Sequence, residues 1–221
     1  MTTSGTTAFN MSIDDLVEEA FERCGMRPTS GYQLTSARRS LNLLFLDWAN
    51  RGLNLWTIEE DTFALVQGTN EITLDSSVVN VLEAVIRDPS VSPSSDISLE
   101  RISRAEYLNV PDKTSQARPA QFYVQRTTLP KVFFYPAADK NYTFVYYRIR
   151  RIEDAGDYTN TADVNFRFLP CLASGLAYYL SLKFAAERAG GLKAVYEEDF
   201  QRAALEDRDT ASVHFLPDLG V

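Results

Sequence analysis

The sequence predicts an α+β protein: an antiparallel bundle of four helices, a β-rich module inserted between the second and third of them, and an extended C-terminal tail. Three observations carry this. Phe168–Leu182 (FLPCLASGLAYYLSL) runs fifteen residues without a charge and with helical spacing of its large side chains. Residues 55–152 change to a period of two, with turn residues between the alternating runs. Beyond Asp209 periodicity is lost, yet large apolar groups persist to Val221. The implied organisation is an arm at 1–11, a helical domain from 12–54 plus 164–209, the β module at 55–152, a linker at 153–163 and a docking tail at 210–221.

The uncharged stretch organises the rest. It is interrupted by Ser174, Gly175 and Ser181 and falls short of the roughly 18–20 apolar residues a membrane span needs. It is also too long for an ordinary strand, which leaves a nearly all-round buried helix. Leu169, Leu172, Leu176, Tyr179, Leu180 and Phe184 form one stripe; Cys171, Tyr178 and Leu182 form a second. Two apolar faces need two sets of neighbours.

In chain order, residues 1–11 are small and polar, and lack the basic and apolar regions of a signal peptide, so none is expected. Ser12 caps a first helix with Asp14 and Asp15 in its positive first turn. Ile13, Leu16, Val17, Ala20, Phe21 and Cys24 make its inner stripe, and Gly25 and Pro28 end it. The second helix is expected from Leu34 to Asn50, with Leu34, Ala37, Leu41, Leu44, Phe45 and Trp48 on one face, Leu43 and Leu46 on the other, and Gly52 as its left-handed terminator. Trp56, Ile58, Phe63, Leu65, Ile72 and Leu74 then alternate, with Gly68-Thr69-Asn70 as a hairpin turn. Val78–Ile86 reads as a buried strand, 88–96 as a loop, and Leu99–Val110 as a short helix with Ser103–Glu106 as an internal cap. Phe122–Gln125, Lys131–Tyr135 and Tyr142–Arg150 read as strands. After an acidic linker, Pro170 fits the first turn of the central helix. Gly190-Gly191 should close a tight helical hairpin, followed by a last helix burying Leu192, Val195, Tyr196, Phe200 and Ala203.

Composition narrows the function. A net charge of −8 argues against gripping a nucleic-acid backbone. Arg38-Arg39 and Arg148–Arg151 read as solvated basic faces. Cys24 and Cys171 sit on apolar stripes and read as reduced, buried small hydrophobes rather than a disulfide framework. No phosphate-loop, dinucleotide, zinc-protease or nucleophile-elbow motif occurs. The single histidine, His214, lies in the tail, where a solvated or docking role is simpler than catalysis. Glu59-Glu60-Asp61 reads as a solvated strand edge. Asp154, Asp157, Asn160 and Asp163 miss the register of a calcium loop. No enzyme, cofactor or metal is expected. The aromatic strands through Phe122, Tyr142, Phe144, Tyr146 and Tyr147 leave one alternative, a carbohydrate- or receptor-binding tail module.

Three stretches carry a family resemblance: Leu41–Thr57 (LNLLFLDWANRGLNLWT), Leu169–Phe184 (LPCLASGLAYYLSLKF) and Leu192–Asp209 (LKAVYEEDFQRAALEDRD). In this order and spacing, with a helix–β–helix arrangement and a C-terminal tail, the chain resembles the head-to-tail adaptors of short-tailed phages, also called tubular tail protein A or packaged-DNA stabilisation proteins. The resemblance implies a structural virion protein at the head–tail junction, assembled in the host cytoplasm. Such adaptors form a ring, typically of twelve copies, beneath the portal protein. They extend the DNA ejection channel and offer a platform to the tail nozzle protein, while genomic DNA passes without sequence-specific binding and no membrane is involved. The C-terminal tail of the family reaches the portal. By position that element is Val213–Val221 here, with Val213, His214, Phe215, Leu216, Asp218, Leu219 and Val221 as docking residues. Leu43, Leu46, Tyr178 and Leu182 then supply the inter-subunit helix faces, and the acidic balance suits a lumen that repels phosphate.

Overall fold

A computed structural model of the chain describes residue 5 and residues 11–52, 55–91 and 94–207. The chain is α+β. Helices α1 (Ile13–Arg23) and α2 (Gly31–Arg51) lead into strands β1 (Ile58–Leu65), β2 (Glu71–Thr73), β3 (Val78–Arg87), β4 (Asp96–Ser98) and β5 (Glu100–Arg101). A short helix α3 (Arg104–Asn109) precedes β6 (Gln116–Ala117), β7 (Gln121–Gln125), β8 (Lys131–Tyr135), β9 (Ala137–Ala138) and β10 (Tyr142–Arg150). Helices α4 (Leu169–Phe184) and α5 (Ala189–Glu206) follow. The contacts divide the chain into two compact units, Met1–Leu55 with Ile152–Val221, and Trp56–Arg151.

In the helical unit α4 touches α1, α2 and α5. Its small residues explain how one helix serves three neighbours. Cys171, Leu172, Ala173, Ser174, Gly175, Leu176 and Ala177 are consecutive and all buried. Ser174 and Ser181 stay in the core by donating their hydroxyls to the carbonyls of Cys171 and Tyr178, at 3.1 and 2.7 Å. A Cβ on Gly175 would lie 2.8 Å from the Tyr196 ring of α5 and 2.9 Å from a Leu44 methyl of α2. The bare backbone is therefore what lets α2 and α5 close on α4. Trp48, fully buried, donates its indole N–H to the Tyr196 hydroxyl at 2.9 Å and packs on Phe168 and Phe200 with ring centroids 5.4 and 5.9 Å away.

Helix starts follow local rules. Ser12 accepts the Asp15 amide while Asp15 accepts the Ser12 amide, and this reciprocal box opens α1. Gly25, at φ +72°, ends it in the left-handed region. The segment after Arg151 is bound to both helices. Asn160 and Tyr158 accept the amides of Ile13 and Asp14 at 2.8 and 3.0 Å. Ala155 donates its amide to Asn42 at 2.9 Å, and Gly156 accepts from Arg38 at 3.0 Å.

The β unit holds two four-stranded sheets, ordered β1-β10-β3-β4 and β2-β8-β7-β5, with β6 and β9 as a separate parallel pair. The first is antiparallel throughout; in the second, β5 joins β7 in parallel. Phe144 of β10 meets Phe134 of β8 edge-on at 4.9 Å and Phe122 of β7 at 6.4 Å, so the two sheets share one aromatic core.

Several expectations are corrected. Helix α2 begins at Gly31, three residues before Leu34, because Ser30 and Gln33 form a second capping box. The backbone at Gly52 is φ 148°, ψ −165°, outside the left-handed helical well. The turn at Gly68–Asn70 makes no hairpin: β1 pairs with β10 and β2 with β8, so the turn hands the chain from one sheet to the other. Leu99–Ile102 is not helical; Glu100 and Arg101 form β5, and the Ser103–Glu106 box starts α3. Gly190 and Gly191 lie inside the first turn of α5, and a 3₁₀ turn at Ala186–Arg188 makes the reversal. Val195 is exposed rather than inward-facing.

Gly175→Ala sets overpacking, typically about 1–3 kcal/mol, against a helix-propensity gain of up to about 1 kcal/mol. The Tyr196 ring is held by Trp48, so the clash wins and urea denaturation should show net destabilisation. Gly190→Ala meets nothing within 4 Å and should instead stabilise, by roughly 0.5–1 kcal/mol.

Candidate functional site: exposed helix faces

Helix α2 has two characters because its residues alternate between core and solvent at helical spacing. Ala37, Leu41, Leu44 and Trp48 are fully buried, while Leu43 and Leu46 are 54% and 58% exposed on the other side. On α4, Leu182 is 56% exposed. Tyr178 is half-buried and stacks on Tyr196 at 6.1 Å, with Tyr179 edge-on at 5.7 Å, so much of its ring is engaged within the chain. Helix α5 adds exposed Val195 and Leu205, which the sequence reading missed by assigning Val195 to the core. Val213, His214, Phe215, Leu216, Asp218, Leu219 and Val221 lie outside the described residues.

A charged and aromatic clamp fixes these faces to one another. Arg51, at the end of α2, donates two N–H groups to the Glu197 carboxylate at 2.7 and 3.0 Å and a third to Asp47 at 2.8 Å. Its guanidinium lies 4.9 Å from the Tyr196 centroid and 4.8 Å from that of Phe200. The hydrogen bonds from Arg51 hold the Glu197 carboxyl below its ordinary range against the opposing effect of burial.

Between α1 and the start of α4 runs an open groove. Phe166, Leu169, Pro170 and Ala173 form one wall, and Glu19 and Arg23 of α1 stand across it. Phe166 is 61% exposed.

The β unit carries its charges differently from the sequence expectation. Glu59-Glu60-Asp61 does lie on the edge strand and Glu60 is exposed, but Glu59 and Asp61 are paired rather than free, and Arg148 and Arg150 form no free basic face. Antiparallel register sets Glu59 opposite Arg148 and Asp61 opposite Tyr146. Arg150 then binds Glu59 at 2.6 Å, Arg148 bridges Glu59 and Asp61 at 3.2 and 3.1 Å, and Tyr146 donates its hydroxyl to Asp61 at 3.1 Å. The pairing was hidden because 85 or more residues separate these partners. The aromatic strands are also largely occupied. Phe122, Phe134 and Phe144 are core, and Tyr107 of α3 covers Tyr123 and Phe133 at 5.7 and 5.3 Å. Burial and a hydrogen bond to Asp139 push the Tyr142 hydroxyl up to about 12. Tyr147 remains exposed.

Cys24 and Cys171 are free and buried; Cys24 donates its thiol to the Ala177 carbonyl at 3.2 Å, and burial raises the pKa of both. The Asp154 and Asp163 carboxylates accept the amides of Gly156 and Glu153. Among the described residues no group of three or more His, Cys, Asp or Glu side chains is placed to hold a metal ion, and no helix is long and apolar enough to cross a membrane.

Helices that carry large apolar residues on their solvent-facing sides mark a protein that presents surfaces to partners. The chain matches the SU10 adaptor protein family over residues 11–217 and belongs to that family, one of phage head-to-tail adaptors. It is thus a phage structural adaptor protein, a virion component that interacts with other head or tail parts. No curated protein matches the chain.

Glu197→Gln should weaken the clamp by about 0.5–1 kcal/mol at neutral pH, the range of a solvent-screened pair. Because the folded carboxyl titrates below its ordinary 4.5, its contribution is complete above that pH and is lost as pH falls through the folded value. Urea midpoints of the two proteins should therefore differ at pH 7 and converge in acid.

Proposed function

We propose that this adaptor assembles as a twelve-membered ring beneath the portal protein, extends the DNA channel and joins it to the tail nozzle. In this reading the chain does no catalysis, takes no cofactor, and lets genomic DNA pass without sequence-specific contacts. Assembly takes place in the host cytoplasm. The helices around α4 form an antiparallel four-helix domain, residues 55–152 a separate inserted domain, and 210–221 the segment that docks on the portal through Val213, His214, Phe215, Leu216, Asp218, Leu219 and Val221.

The observation that supports the ring is the exposure of Leu43 and Leu46 on α2 and of Leu182 on α4. A cyclic ring uses a different surface toward each neighbour. In the proposal, Leu43 and Leu46 of one copy face the Tyr178–Leu182 side of the next. Covering three half-exposed leucines yields about 3 kcal/mol in all, less than the roughly 4–15 kcal/mol that association costs in lost freedom. Such an interface holds only when a partner prepositions the copies, so the portal templates the ring.

Deletion of Ser212–Val221 should abolish portal binding while leaving the fold intact by circular dichroism; retained binding removes the tail from the mechanism. The pair Leu43→Asp and Leu46→Asp should leave monomer stability within about 0.5 kcal/mol. It should prevent closed rings on the portal, as seen by electron microscopy.

A further inference from the structure

We infer that the groove between α1 and the start of α4 is the resting site of the chain's own C-terminal segment, residues 208–221, in the unassembled protein. The inference goes beyond portal docking and does not require it.

Arg167 donates an N–H to the Glu206 carbonyl at 3.1 Å, so the last residue of α5 is tied to the residue next to Phe166, which walls the groove. Asp207, the last described residue, accepts the Leu55 amide at 3.0 Å and fixes the point of departure. From Asp207 to Phe215 an extended chain spans roughly 26 Å. From Leu169 to Ala173 the groove runs little more than one helical turn, about 5.4 Å. Reach is ample.

Residues 208–221 place Val213, Phe215, Leu216, Leu219 and Val221 within nine positions, and leaving that many apolar groups in water is costly. The groove offers Phe166, Leu169, Pro170 and Ala173 as an apolar wall, with the Arg23–Glu19 pair, 2.8 Å apart, standing across from them. Phe166 is 61% exposed, with only the Arg167 guanidinium over its ring, 5.7 Å from the centroid, among the described residues. A single exposed aromatic is ordinary, but one that continues into an apolar groove marks a binding surface.

A segment tethered beside its site meets it at an effective concentration of order millimolar. A second copy reaches that level only at very high protein concentration, so the chain's own segment is the favoured occupant.

The test uses the full chain with cysteines at Glu19→Cys on the groove wall and Asp218→Cys in the tail, which spares every apolar group. The native thiols are buried and do not compete. Under mild oxidation of dilute protein, an intramolecular disulfide should form about tenfold faster than in a Leu46→Cys, Asp218→Cys control, although Leu46 is the more exposed of the two helix positions. Adding Phe166→Asp, at an exposed position that does not threaten folding, should bring the rate down to that of the control. Equal rates in the two pairs, or a rate indifferent to Phe166→Asp, overturn the inference. Disulfide-linked dimers in place of the intramolecular bond also overturn it, by giving the groove to a second copy. Portal binding is read separately, so failure here leaves the adaptor proposal standing.

Discussion

The helical unit depends on the absence of one side chain. At Gly175 the backbone of α4 meets a methyl of Leu44 and the ring of Tyr196 at distances no Cβ tolerates. That approach brings Tyr196 under the Trp48 indole and within reach of Arg51. From there the clamp extends through Asp47 and Glu197 and fixes the rotation of α2 and α5. The rotation decides which leucines of α2 enter the core and which face water. A structural adaptor needs rigid faces more than a deep pocket, and here rigidity comes from close backbone packing.

Much of this was legible in the sequence. The uncharged run at Phe168–Leu182, the stripe of α1 and the strands β7, β8 and β10 follow from periodicity alone, because each is long or strongly alternating. The family resemblance carried by Leu41–Thr57 and Leu169–Phe184 led to the adaptor family that the chain belongs to. The start of α2 was also present in the letters, as Ser30 and Gln33 at capping-box spacing, and was passed over in favour of the first apolar residue.

What was not legible is non-local. Gly68-Thr69-Asn70 has hairpin chemistry, but sheet membership is decided by partners dozens of residues away. Ala138, on the far side of the β unit's sequence, exchanges hydrogen bonds with this turn. Glu59 and Arg150 look solvated one at a time and form an ion pair only when β1 lies against β10. Val195 follows the helical period of Tyr196 and Phe200 closely enough to pass as core, yet α5 buries only Tyr196 and Ala203 completely. A weakly amphipathic helix does not announce its rotation.

The central claim is that weak, exposed helix faces become a ring only on a portal. The direct measurement is solution mass, for the chain alone and after mixing with the portal protein from the same genome. The account predicts a monomer alone and, in the mixture, a portal-sized complex carrying about one copy per portal subunit, as matched cyclic symmetry requires. A stable ring without portal would contradict templated assembly. A folded chain that never joins the portal would contradict the account as a whole.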